Sequence, residues 1–177
     1  MVLTFLSLAL SQISTLVAVR SHVRTVVGYI GLVVLLVSAA GILMAAVFRT
    51  DPITASPAAA TRSGTLHLVG ASLDWTPVAA LLISLSLARN TAWRGIRTRL
   101  FLSAGITLLA MLAFVMTTTV FGPANGIFSA GTVAGLFGRI LVLSYAGWMI
   151  TTALHALALS KRRAGAGASP VQQAANL

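Results

Sequence analysis

Between Arg24 and Arg49 the chain runs from Thr25 to Phe48 without one charged side chain. As a helix this stretch rises about 36 Å, more than the roughly 30 Å of a bilayer's hydrocarbon core. A helix apolar on every side needs apolar surroundings on every side, from a large protein core or from lipid. Four further stretches have the same character, and only 8% of all residues are charged, against about a quarter in soluble domains. With a mean hydropathy of +0.97, there is too little polar surface to wrap such helices, so lipid must serve as part of the solvent. The expected fold is all-α: a polytopic transmembrane helix bundle in one domain covering residues 1–160.

The five predicted spans cover about residues 2–19, 25–48, 64–88, 100–120 and 131–160. The first is broken by Ser7, Ser11, Gln12, Ser14 and Thr15, which suggests a face turned toward other helices. Arg20 and Arg24 follow it rather than a small-residue cleavage site, so it reads as a helix that stays rather than a signal peptide. In the second, Gly41 and Ala45 form a small-xxx-small pair that permits close helix approach. In the third, Pro77 removes a backbone donor and predicts a kink. Residues 161–177 are expected to be a basic and then disordered cytoplasmic tail.

Twelve Lys and Arg stand against two acids, a formal charge of +10. Nine of the twelve fall at 20–24, 89–99 and 161–163, and only Arg49, Arg62 and Arg139 fall in the alternate connections. That asymmetry predicts a cytoplasmic C-terminus and an external N-terminus in the cytoplasmic (inner) membrane. The same excess of bases does not indicate nucleic-acid binding, which needs a basic face on a soluble module. No cysteine is present, which removes disulfides and thiolate chemistry from consideration.

The stretch TRSGTLHLVGASLDWTP, Thr61 to Pro77, carries the polar groups of most interest. His67 and Asp74 stand seven residues apart, so they share one helix face at about 10 Å separation. Asp51 sits just upstream at the external end, and Arg139 enters the last span from the same side. A carboxylate or guanidinium inside a bilayer is costly alone, so Arg139 is expected to pair with Asp74, or with Asp51. One reading makes this pair a device that fixes helix register. The other makes Asp51, His67, Asp74 and Arg139 a ligand-binding cluster for a lipid or small molecule. An intramembrane enzyme or transporter using Asp74, His67 and Arg139 is the alternative.

Other chemistry finds less support. His67 and His155 lie near opposite ends of their helices and cannot share a haem iron. One histidine with one or two aspartates makes an incomplete metal set, so no metal and no cofactor are expected. Ser72, His67 and Asp74 contain the residue types of a hydrolase but lack a nucleophile-elbow turn. His22, in a loop, is expected to be solvated, and Trp93 to anchor the basic loop at the interface.

Three stretches resemble the bacterial and archaeal membrane proteins grouped as domain of unknown function 998. They are GILMAAVF followed by Thr50-Asp51-Pro52, the step Thr61, Gly64, Leu66, His67, and GLFGRILVLSYAGW from Gly135 to Trp148. The resemblance runs from about residue 25 to 155 and implies the same multi-spanning fold, with no activity attached. Members of that family usually have six helices against the five counted here, which implies a missing N-terminal helix. The expectation is therefore a membrane protein of unknown activity, not an enzyme, whose partners are the bilayer, a lipid or small ligand, a membrane protein or a second copy.

Overall fold

The computed structural model describes residues 2–52, 54–123, 128 and 133–166. These form α1 (Val2–Val19), α2 (Val26–Val47), α3 (Arg62–Ser72), α4 (Thr76–Leu87), α5 (Arg97–Val115) and α6 (Ala134–Ala166). No strand occurs among the described residues. Five helical stretches are long and apolar enough to cross a membrane, α3 and α4 together making the third. Large apolar side chains line the exterior, among them Leu3, Val33, Leu109, Leu143 and Leu154. That is what a helix bundle facing hydrocarbon requires.

The order around the bundle follows from packing. α1 lies against α2 and α6, α2 against α4, α4 against α5, and α5 against α6, so the ring closes. The tightest approaches use glycine. A Cβ on Gly70 would come within 2.6 Å of the Gly41 carbonyl oxygen and 2.8 Å of the Ala45 amide nitrogen. The small pair Gly41 and Ala45 is therefore where α3 meets α2.

Two helices, α2 and α3, begin where a threonine offers an oxygen to their first amides. Thr25 Oγ1 accepts from Gly28 at 3.2 Å, and Thr61 Oγ1 accepts from Gly64 at 3.0 Å. In the third span the chain does not kink at Pro77. It breaks at residues 73–75 and starts a new helix with the proline in its first turn, where a missing N–H costs nothing. α5 continues as a π turn over Met116–Val120, where the Thr117, Thr118 and Thr119 hydroxyls donate to the carbonyls of Phe114 and Val115.

One boundary differs from expectation. Lys161, Arg162 and Arg163 belong to α6, which runs on to Ala166 rather than yielding to a tail at 161. The expected disorder beyond lies outside the described residues, as does the start of the fifth span at 131.

The core is uneven. Val19, Leu35, Ile83, Leu87, Trp93, Leu100, Tyr145 and Trp148 form one buried cluster. It fills the half of the bundle containing the α1–α2 turn, the α4–α5 connection and the end of α6. Nine of the twelve bases gather at that end, called here the basic end. The Asp51 end lies opposite.

Candidate functional site

The residues singled out from the sequence occupy separate stations. Asp51 accepts hydrogen bonds from the Thr61 amide at 2.8 Å and the Thr61 hydroxyl at 2.7 Å. It lies against Gly64, where any Cβ would collide with its carboxylate. Asp51 thus fastens the loop to the first turn of α3. Beside it Ser63 Oγ accepts from the Arg49 amide at 2.8 Å and donates to the Arg49 carbonyl at 3.0 Å.

His67 reaches back to the end of α2. Its Nδ1 lies 2.8 Å from the Ala45 carbonyl oxygen and 3.0 Å from that of Phe48. Both partners are acceptors, so Nδ1 carries a proton and satisfies carbonyls that a helix end leaves free. Nε2 is the remaining polar atom His67 can offer. The Phe5 ring meets the imidazole edge-on at 5.6 Å between centroids. A cavity of about 230 Å³ opens here, lined by residues including Val2, Phe5, Phe48, Arg49 and His67.

Asp74 stands at the break between α3 and α4, half-buried near the middle of the third span. Its Oδ1 accepts from the Thr76 hydroxyl at 2.6 Å and the Thr76 amide at 3.2 Å. Gln12 Nε2 donates to the Thr76 hydroxyl at 2.7 Å and approaches Asp74 Oδ1 at 3.5 Å. The carboxylate closes the start of α4, where exposed N–H groups favour an anion. The next backbone amide, Trp75, donates to Ser38 Oγ on α2 at 2.9 Å. The Tyr145 hydroxyl from α6 faces the same carboxylate, yet Tyr145 Oη and Gln12 Oε1 are both buried without a hydrogen-bond partner.

Arg139 is exposed on α6. It forms no ion pair with Asp74 or Asp51, and no ion pair occurs among the described residues. The expected pairing is thereby corrected. Thr76 and Gln12 supply hydrogen bonds to Asp74, and Thr61 supplies those of Asp51, so neither acid needs a guanidinium. Nor does a hydrolytic set assemble. Ser72 Oγ donates to the Val69 carbonyl at 2.8 Å, and the Nδ1 of His67 is held by α2. Among the described residues no three His, Asp or Glu side chains are grouped to hold a metal ion.

The basic end contains an arrangement that sequence reasoning missed. His22 is not solvated but only 6% exposed, and Trp93 is fully buried rather than an interfacial anchor. The Trp93 indole sits between two imidazoles, His22 at 5.4 Å and His155 at 4.8 Å between centroids. His155 Nε2 donates to the Ala92 carbonyl at 3.0 Å, and Asn90 Nδ2 donates to the His22 carbonyl at 3.2 Å. Three stretches far apart in sequence are clasped together. Burial first, then the charges of Arg163, His155 and Arg24, holds the His22 imidazole below its ordinary range.

No protein-family model, curated protein or solved structure matches the chain.

Proposed function

We propose that this chain is a non-enzymatic protein of the cytoplasmic membrane that holds a lipid or small amphipathic ligand at its external end. The observation that carries the reading is the cavity at His67, in which Val2, Phe5 and Phe48 supply apolar wall and Arg49 and His67 supply polar groups. Few precisely placed polar groups on an apolar wall make a ligand site. Because Nδ1 donates to the end of α2, Nε2 is the ring nitrogen left for a ligand, suited to a hydrogen bond with a hydroxyl. The nine-to-three distribution of bases supports a cytoplasmic basic end and an external Asp51 end. Kinship with the family of unknown function rests on the motifs at Asp51, His67 and Arg139.

A second reading is favoured by the centre of the membrane span. A broken helix with Asp74 at its break, beside the unpartnered Gln12 Oε1 and Tyr145 Oη, suits a transporter subunit that takes up a proton or cation.

Native mass spectrometry of protein released from mild detergent separates the two. Val2→Trp fills the cavity without touching the bonds of His67. The first reading predicts a co-purified amphiphile that this variant loses. An amphiphile retained equally in the variant, or none in either sample, contradicts it. Proton or cation flux in proteoliposomes that Asp74→Asn abolishes supports the second reading instead.

A further inference from the structure

At the basic end α6 presents one face that changes character along its length. Ala153, Ala156 and Leu157 are followed on the same side by Ser160 and Arg163, at the three- and four-residue steps that share a helix face. Over about 15 Å the face passes from hydrocarbon to charge. With His22 from the α1–α2 turn it lines a cavity of about 470 Å³, within the roughly 300–1,000 Å³ range of small-ligand sites.

His22 is prepared for an anion. The residue is only 6% exposed, and its ring stands edge-on to Trp93. Among the described residues neither of its ring nitrogens is hydrogen-bonded, although its carbonyl is held by Asn90. The charged groups around it are arginines, Arg163 on α6 and Arg24 on its own turn, with the titratable His155 of α6 beside them. Lys161 and Arg162 flank Arg163. Neither acid of the chain is at this end, since Asp51 is bonded to Thr61 and Asp74 to Thr76. An imidazole set among arginines and a second imidazole, above an apolar wall, lacks a negative partner with an apolar body.

We infer that the basic end binds an anionic phospholipid headgroup, its phosphate between Arg163 and His22 and its glycerol and upper acyl chain over Ala153, Ala156 and Leu157. Basic recesses between helices at the cytoplasmic face take anionic headgroups, and a guanidinium fork matches two phosphate oxygens. The site is independent of the His67 cavity and stands or falls without it.

Binding is coupled to protonation. In the free protein, burial and the charges of Arg163, His155 and Arg24 disfavour the imidazolium of His22. A phosphate beside it favours that form, so binding takes up a proton and strengthens as pH falls.

The test compares retention of phosphatidylglycerol and phosphatidylcholine of matched chains by native mass spectrometry, with inorganic phosphate as a competitor. The expected result is preferential retention of phosphatidylglycerol, reduced about tenfold by Arg163→Gln, an exchange of one charged contact. Arg163 is exposed, so that variant leaves the fold intact. Lowering the solution from about pH 8 to about pH 5.5, across the titration of histidine, strengthens retention in the wild type and not in His22→Asn. Equal retention of the two lipids, or no effect of Arg163→Gln, overturns the inference. Binding of inorganic phosphate with no retained phospholipid assigns the recess to a free anion and overturns the lipid assignment.

Discussion

α3 and α4 are two halves of one hydrophobic span, yet they are held by different means. α4 buries eight of its twelve residues, from Thr76 to Leu87, among α2, α5 and α6. α3 buries only Gly64 and Gly70 out of eleven and packs mainly on α2. What α3 lacks in burial it gains from polar fastenings: Asp51 on Thr61, Ser63 on Arg49, and His67 on the end of α2. Lipid is as apolar as a leucine side chain, so burial alone gives little reason for helices to associate there. The unusual polar residues of the Asp51 end are therefore first of all the means by which a peripheral half-helix is secured. At the basic end the imidazole of His22 fastens no helix end, so among the described residues both of its ring nitrogens remain for a ligand, where His67 keeps only Nε2.

The comparison can be broken at its strongest point by removing Trp93. Its indole is fully buried between His22 and His155, so Trp93→Ala should cost about 3–5 kcal/mol in thermal or denaturant unfolding. A loss below about 1 kcal/mol would mean that the clasp does not hold the basic half together. Next in size, Gly70→Leu forces α3 off Gly41 and Ala45, at about 1–3 kcal/mol for overpacking. Proteolysis should then cut near α3 while α4 stays protected.

A finer test lies at the break. Asp74→Ala removes the oxygen that accepts from the Thr76 amide and hydroxyl and should cost about 0.5–2 kcal/mol. Asp74→Asn keeps an acceptor and should cost less, as read by the same unfolding curves. Equal losses would show that the charge, and not the cap, is what the fold uses. The smallest effect is the pH dependence of lipid-free protein. The folded state holds His22 below its ordinary 6.5, so the unfolded chain binds its proton more readily. Stability contributed by neutral His22 is present above 6.5 and declines as pH falls through the lowered folded value. His22→Asn should flatten that slope, and added phosphatidylglycerol should reverse it.

Much of the bundle was legible from periodicity and charge. The uncharged run from Thr25 to Phe48 could only be a span, and Gly41 with Ala45 marked a close approach that α3 does make. The break before α4 was also within reach. Asp74-Trp75-Thr76-Pro77 carries the start signals of a helix, an acid oxygen followed by proline in the first turn. Treating the span as one kinked helix concealed them. The partner of Asp74 was not legible in the same way, because Gln12 is 62 residues distant and only the closure of α1 onto the bundle brings it near. Expecting Arg139 there followed from the cost of a lone charge, whereas amide and hydroxyl donors meet that cost. Trp93 was misplaced for the same reason. An aromatic residue among arginines suggests an interface, and only the joining of three separate stretches shows it buried between His22 and His155.

Native-state hydrogen exchange across the third span, with Asp51→Ala beside the wild type, tests most directly whether polar fastenings hold α3 while burial holds α4. Losing the two Thr61 bonds should speed exchange in Arg62–Ser72 about tenfold, the equivalent of about 1.4 kcal/mol in local opening. Thr76–Leu87 should be unchanged. Faster exchange in both halves, or in neither, would contradict the account.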